Sequence, residues 1–256
     1  MKEKIIGVMG FGEIGRSVAQ VYPKNKFKIL SKDLDHDFLD DSVDVLHIAI
    51  PYDENFIQDV VKQIKICKPK FVIIESTVDV GVTSKINKLL KNKIVVHSPV
   101  RGKHPNLTKS IKTFVKFVGA DDKKIGEDVV KHYKAIGVDA KCFVPSTATE
   151  LNKILCTSYY GLCIAWAHEV NKICEKFGVD YSTFEEFNDT YNEGYKKMHL
   201  PNVIRPTLTP PKNGIGGHCV WENAVMFNKK IKSKYFDLII DLGKDKNAKT
   251  LKLRKK

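Results

Sequence analysis

Three glycines near the start of the chain have the spacing of a phosphate-binding turn. Gly10, Gly12 and Gly15 form a G-x-G-x-x-G pattern between a short apolar run and a helical pattern. The first glycine permits a tight turn, the second lets a pyrophosphate approach the backbone, and the third lets helix and strand pack closely. The N–H groups that begin the helix then face the phosphates. A tight turn in an ordinary α/β protein is the alternative. The cofactor-binding residues predicted from this turn are Gly10, Phe11, Gly12, Glu13, Ile14 and Gly15.

A carboxylate follows the turn at the distance expected for a ribose-binding residue, which is about 20 positions. A second apolar run, residues 27–31, leads to Asp33. A carboxylate there binds the ribose hydroxyls and repels a 2′-phosphate. The sequence therefore favours NAD as the cofactor, while the neighbouring Lys32 keeps NADP open as the less favoured choice.

An amine and a thiol could do further chemistry. Lys153 lies near the start of a long apolar helical pattern, Thr147–Phe177, where burial can tune the pKa of an amine. A lysine that extends to solvent is the alternative. Cys219 follows Gly216 and Gly217, which allow backbone and substrate to approach closely, and a helix that begins after the cysteine would lower its thiol pKa. Taken alone, an inert cysteine is the simpler interpretation.

Apolar strands that alternate with helical patterns must position these residues. Strand-like runs end at Pro51, at Ser76 and Thr77, and at residues 97–99. Such alternation predicts a parallel sheet, and ligands bind at the carboxyl ends of its strands. Pro51, Ser76 and Thr77 therefore join the predicted cofactor site. A further strand is predicted over residues 113–118 and a helix over residues 224–231.

The long helix separates two predicted domains. Thr147 and Glu150 have capping-box spacing at its start, and Gly178 can end it. The charge-free part is too short to span a bilayer, and we expect it to be buried on several sides. The predicted fold class is α/β: a Rossmann-type, mostly parallel sheet domain over residues 1–145, followed by a smaller all-α domain built on the long helix over residues 146–243. Residues 244–256 are predicted to form a basic flexible tail. Because the helix has more apolar surface than a small domain needs, we expect a homodimer through it.

The amino-acid composition limits the classes of molecule that we expect the protein to bind. Forty-three Lys and Arg against 30 Asp and Glu give a net charge of +13, which favours acidic small molecules. The lysines are scattered and not interleaved with aromatic residues, so nucleic acid is an unlikely partner. Six cysteines without a C-x-x-C pair suit a reducing compartment. The start of the chain does not resemble a signal peptide, which predicts a cytoplasmic protein without membrane association. No His/Cys/Asp spacing predicts a metal site.

Five motifs in order now resemble one family, the UDP-glucose/GDP-mannose dehydrogenases. They are the glycine turn, Ser76-Thr77-Val78-x-x-Gly81-x-Thr83, Ser98-Pro99, Glu150-Leu-Asn-Lys153 and Gly214-x-Gly216-Gly217-x-Cys219. The resemblance implies an enzyme in which NAD oxidises the primary alcohol of a sugar or nucleotide sugar.

The resemblance also implies residue roles. Cys219 would attack the intermediate aldehyde and pass through a thiohemiacetal and a thioester, while Lys153 would stabilise the oxyanion or handle the proton. Thr77 would lie beside the nicotinamide, and Asn223 occupies the position of a further catalytic residue. Weaker candidates for substrate contacts are Arg101, Asn152, Gly216, Gly217 and His218.

The chain departs from the family pattern. Val100 stands where the family usually has glutamate, Asn223 where it has aspartate, and Thr157 where it has asparagine. The family's C-terminal UDP-binding domain also has no counterpart in the residues given. Two alternatives therefore stay open. One is a single-oxidation dehydrogenase of the β-hydroxyacid/6-phosphogluconate type, in which Lys153 is the acid/base and Cys219 is dispensable. The other is a non-catalytic NAD-binding homologue.

Overall fold

The computed structural model describes residues 4–102, 105–211, 214–215 and 218–253, without the side chains of residues 218 and 244–253. The chain divides into two compact units, Met1–Lys153 and Ile154–Lys256, and each is described by itself. The division falls inside the long helix, a little beyond the boundary predicted at residue 145.

The first unit is built on a seven-stranded sheet with the strand order β2-β1-β3-β4-β5-β6-β7. Only the β5–β6 pair is antiparallel among the described pairs, which confirms the predicted mostly parallel sheet. The strands are β1 (Lys4–Met9), β2 (Phe27–Lys32), β3 (Val45–Ile48), β4 (Phe71–Ile74), β5 (Val95–His97), β6 (Lys116–Ala120) and β7 (Ala140–Phe143).

Helices cover both faces of this sheet. Two clusters of buried Val, Ile and Leu side chains lie against it, because parallel strands covered on both sides are apolar at nearly every position. The helices are α1 (Glu13–Ala19), α2 (Phe56–Cys67), α3 (Val82–Leu90), α4 (Leu107–Thr113), α5 (Lys123–Ala135) and the start of α6 (Thr147–Phe177).

One strand prediction in this unit is wrong. Residues 113–118 do not form a single strand, because α4 ends at Thr113 and β6 begins at Lys116. Leu107 and Ile111, four residues apart, are both buried, and this spacing places them on one face of a helix.

The second unit contains helices without strands in its described part. The helices are the rest of α6, α7 (Tyr181–Lys197), a short 3-10 turn (Pro201–Val203), α8 (His218–Ile231) and α9 (Lys234–Leu253). The bounds of α6 are as predicted, and Gly178 follows it in the left-handed conformation at φ 67°. The helix predicted over residues 224–231 begins earlier, at His218. Residues 244–253, predicted as a tail, continue α9.

One face of α6 is exposed within this chain. Tyr159, Trp166 and Phe177 are 61%, 60% and 73% exposed, whereas Ile154, Ala167 and Val170 are buried. The expectation that α6 is buried on several sides therefore does not hold for the single chain. Its apolar surface is larger than the second unit itself covers.

Candidate cofactor and active site

The glycine turn lies where the strand order of the sheet reverses. β1 pairs with β2 on one side and with β3 on the other, and ligands of such sheets bind outside the carboxyl ends at this point. Gly10 has a φ of 89°, and a Cβ there would lie 2.7 Å from the backbone of Ala49. A Cβ on Gly15 would collide with the Gly10 carbonyl oxygen, whereas a Cβ on Gly12 would meet no atom within 4 Å. The turn therefore has no room for a side chain at Gly10 or Gly15, but it has free space beside Gly12.

Asp33 faces this turn. Its Oδ2 accepts a hydrogen bond of 2.8 Å from the Phe11 N–H, and its Oδ1 accepts one of 2.8 Å from Leu34. Lys32 points to other partners, since its Nζ donates to Asp37 at 2.6 Å and to Gln63 at 3.0 Å. The carboxylate is therefore at the turn, and the neighbouring ammonium is already paired.

The neutral side chain of His97 holds the loop that follows β4. The Ser76 hydroxyl donates to the carbonyl of Ile50, next to Pro51, at 2.6 Å. His97 Nε2 donates to the Ser76 carbonyl at 3.1 Å, which leaves Nδ1 to accept from the Thr149 hydroxyl at 2.8 Å. Burial lowers the pKa of His97 to about 3. His97 therefore links the Ser76 carbonyl, next to the half-buried Thr77, to Thr149 in the first turn of α6.

The first turns of α6 are anchored to the same edge of the sheet. The Lys153 Nζ donates to the carbonyl of Val100 at 2.8 Å. Glu150 accepts from the N–H groups of Gly81 at 2.6 Å and Thr83 at 2.8 Å. The predicted capping box is therefore wrong, because this carboxylate caps the start of α3 instead of its own helix. Burial raises the pKa of Glu150, and these N–H donors lower it in part.

Two weaker candidates have local partners. The Arg101 guanidinium lies 4.3 Å from the centre of the Phe117 ring and donates to the Val115 carbonyl. Asn152 is exposed and donates to the Ala148 carbonyl at 2.7 Å. Their roles in substrate binding stay predictions.

Cys219 and Asn223 belong to the second unit. Cys219 is exposed at the second position of α8, and Asn223, one turn later, is buried. Residues four apart lie on one face of a helix. The Asn223 Nδ2 is buried and has no hydrogen-bond partner among the described residues. Gly216, Gly217 and the side chain of His218 lie outside the described part of the chain.

The sequence interpretation missed a buried polar cluster in the first unit, which reaches the carboxyl end of β4 at Glu75. Its members are Tyr22, His47, Glu75, Lys116 and Tyr133. The signal was present, because Glu75 ends the apolar run FVIIE and Lys116 begins KFVGA. A charged residue within an apolar strand pattern indicates a buried, paired charge.

The described residues contain neither a cluster of metal ligands nor a helix that could span a membrane. They contain no group of three or more metal-ligating side chains. Among the same residues, no helix is long and apolar enough to cross a membrane.

Solved dehydrogenases share this fold. The UDP-D-ManNAc dehydrogenase of Pyrococcus horikoshii aligns with a TM-score of 0.76 at 17% identity, over 93% of this chain and 68% of that one. The 3-hydroxyisobutyrate dehydrogenase of Mycobacterium tuberculosis aligns with a TM-score of 0.70 at 14% identity, over 96% of this chain and 94% of that one. These likenesses confirm the predicted Rossmann-type fold.

The curated sequence relatives are nucleotide-sugar dehydrogenases. The UDP-N-acetyl-D-mannosamine dehydrogenase of Methanococcus vannielii is 27% identical over 66% of this chain and 37% of its own length. The enzyme of the same name from Campylobacter jejuni is 24% identical over 86% of this chain and 60% of its own length. No family model matches the chain. The relatives confirm the resemblance found in the motifs, and the chain spans only part of their length.

Proposed function

We propose that this chain provides the cofactor site and chemical groups of an NAD-dependent dehydrogenase that oxidises an alcohol of a sugar or nucleotide sugar. One observation carries the proposal: the Lys153 amine is held at the same sheet edge as the glycine turn and Asp33. An alcohol that loses a hydride must also lose a proton, and an amine at this edge is suited to accept it or to stabilise the oxyanion.

The residues at the turn fit a dinucleotide. The open space beside Gly12 leaves room for a pyrophosphate, and the Asp33 carboxylate suits the ribose hydroxyls. We propose NAD rather than NADP, because the ammonium of Lys32 is paired with Asp37 and is not directed to a 2′-phosphate. When bound, the cofactor would supply the hydride acceptor, and Thr77 and Pro51 are the residues proposed to hold its reactive end.

Cys219 is the proposed nucleophile for a second oxidation. Its sulfur would add to the aldehyde carbon while the thiol proton passes to the aldehyde oxygen, which gives a thiohemiacetal. A second NAD would accept the hydride of this group, and water would then cleave the thioester to the acid and the free thiol. Asn223 can orient this water but cannot serve as its base. Because the relatives are named for UDP-N-acetyl-D-mannosamine, a UDP-linked amino sugar is the first substrate to try.

A single oxidation of a hydroxyacid is the second candidate. Its support is the fold likeness that extends over 94% of the 3-hydroxyisobutyrate dehydrogenase, together with Val100 and Asn223 in place of two carboxylates. In this reaction Lys153 is the acid/base and Cys219 has no role.

A second copy of the chain is the proposed protein partner. Leu155, Tyr159, Trp166, Ile173 and Phe177 are all exposed, and at about 100° per residue they lie within roughly 40° of one another around α6. A continuous exposed apolar stripe of this kind marks a protein interface. A cytoplasmic location stays a prediction.

NADH production by the purified protein tests these proposals. The substrates are UDP-linked amino sugars, other nucleotide sugars, free sugars and hydroxyacids, and the variants are Cys219→Ala, Lys153→Met and a control, Cys142→Ala in β7. Two NADH per substrate, lost in Cys219→Ala and unchanged in the control, are expected. Turnover that needs Lys153 but not Cys219 supports the hydroxyacid reaction. NADH binding without turnover of any substrate contradicts both reactions and leaves a non-catalytic homologue.

A further inference from the structure

A buried ion pair lies at the carboxyl end of β4. This is the edge of the sheet that also carries the glycine turn and Asp33, and it is called the ligand edge below. The side chains of Glu75 and Lys116 are 1% and 4% exposed, with 2.6 Å between Oε2 and Nζ. Glu75 Oε1 also accepts from Tyr133 at 2.9 Å and contacts His47 Nδ1 at 2.9 Å. Burial raises the pKa of Glu75, but the Lys116 charge and the His47 bond outweigh burial and bring it to about 2. Burial lowers the pKa of Lys116, and the neighbouring Glu75 charge opposes this shift in part.

The pair is connected to Lys153 through the segment 98–100. Lys116 Nζ donates to the Ser98 carbonyl, and the Val100 N–H donates to the Glu75 carbonyl at 3.2 Å. The Val100 carbonyl in turn accepts from Lys153 at 2.8 Å. The ion pair therefore holds the start of this short segment through the Lys116 ammonium, and the backbone carbonyl of Glu75 holds its end.

Stability alone does not account for this pair. Well-packed apolar side chains in place of a buried ion pair are often as stable or more stable, and the neighbouring strand positions are Val and Ile. The other Lys–carboxylate pairs of the described residues involve exposed side chains, such as Lys70–Asp44 at the opposite end of the sheet. The buried pair is at the edge where the ligand sites lie.

We propose that Glu75 and Lys116 are positioning residues for Lys153. Neither touches the substrate. The Glu75 carboxylate holds the Lys116 ammonium, and this ammonium fixes the Ser98 carbonyl. With the Val100 N–H bound to the Glu75 backbone carbonyl, the Val100 carbonyl then holds the Lys153 amine at one place along the sheet edge. This inference rests on the proposed function, in which Lys153 acts on the substrate.

The test replaces both charges together. Single variants leave a lone buried charge and can fail to fold, whereas Glu75→Gln combined with Lys116→Met leaves no net charge in the cluster. Lys116→Arg keeps a donor to both partners. Lys70→Met is the matched control, because it makes the same replacement in an ion pair at the far end of the strands.

The first readout is the reactivity of Lys153 itself. Acetylation of the full chain by acetic anhydride across a pH series, followed by peptide mass spectrometry, reports the rate for this amine without any turnover. We expect labelling of Lys153 to rise about tenfold in the double variant, and to be unchanged in the control. NADH affinity should stay within about twofold, since the glycine turn is held by other contacts.

The second readout is catalysis. With an active substrate, we expect kcat to fall by at least about tenfold, because small displacements of a catalytic group are costly, while KM for NAD changes little. Lys116→Arg should recover most of this loss. A folded double variant with wild-type Lys153 labelling and wild-type kcat overturns the inference.

The two proposals fail in different ways. If Lys153→Met retains full activity while labelling responds to the double variant, the proposed role of Lys153 is wrong and the positioning stands. If Lys153→Met abolishes activity while neither labelling nor kcat responds to the double variant, the positioning is wrong and the function stands.

Discussion

The two units bury their apolar residues to different degrees. In the first unit the Val and Ile side chains of the central strands are buried, and polar groups such as His97 and Glu75 have bonded partners. In the second unit α6 leaves a stripe of large apolar side chains exposed. A parallel sheet covered by helices on both faces completes its own core, whereas a few helices around one long helix cannot cover all of its faces. The first unit thus completes its own core, whereas the second leaves apolar surface that the proposed second copy of the chain would cover.

The largest effect expected from this contrast is acid sensitivity of the sheet unit. Because the pKa of His97 is about 3 when folded against an ordinary 6.5, protonation favours the unfolded chain. The contribution of His97 to the free energy of unfolding is fully present above pH 6.5 and is lost as the pH falls towards 3. By linkage this loss amounts to about 5 kcal/mol. Urea unfolding between pH 7 and 4 should show a smaller loss of stability in His97→Gln. The variant keeps the part of the pH dependence that comes from His132, whose pKa burial also lowers to about 3. A variant whose unfolding free energy depends on pH as strongly as that of the wild type would contradict a buried, neutral His97.

Two glycine variants distinguish a position that is needed for packing from a position that is needed for cofactor access. In Gly15→Ala the new methyl meets the Gly10 carbonyl, so we expect a loss of about 3 kcal/mol in stability. In Gly12→Ala the methyl has room, so the melting temperature should hold while NADH affinity falls at least about tenfold. Calorimetry and NADH fluorescence titration measure both quantities. Equal melting temperatures for the two variants would contradict the packing described at Gly15.

The exposed stripe of the second unit can be broken by one charge. Trp166→Glu places a carboxylate in the proposed interface, and we expect a monomer by light scattering at micromolar concentration with unchanged helix content. Lys172→Glu changes the charge of α6 at an exposed position away from the stripe, and should leave the dimer intact. A wild-type protein that is already monomeric would refute the proposed dimer.

The smallest effect is expected at the sheet end remote from the ligand edge. Lys70 is 72% exposed in its pair with Asp44, and a surface pair contributes under about 1 kcal/mol. Lys70→Met should therefore change the unfolding free energy by less than this amount in urea titrations, whereas Lys116→Met alone, which strands a buried carboxylate, should cost about 3 to 5 kcal/mol. Similar costs at the two sites would remove the distinction between the surface and the buried ion pair.

Several features were predictable because their causes are local. The glycine spacing, the apolar strand runs, the bounds of α6 and its end at Gly178 each depend on a few neighbouring residues. The alternation of strands and helices then implied the parallel sheet and the edge at which Asp33, Ser76 and Lys153 lie. The positions of Glu75 and Lys116 in apolar runs indicate two buried charges, but the sequence does not show that these two residues pair with each other.

The class of fold, the glycine turn with its carboxylate and the long helix can all be read from the order of the residues. The pairing of distant groups appears only in the folded chain: Glu75 with Lys116, Glu150 with the start of α3, and Arg101 with Phe117. The folded chain also leaves one face of α6 exposed. The physical reason is that local backbone preferences are set by adjacent residues, whereas the partner of a buried charge is whichever group the packed chain brings within bonding distance.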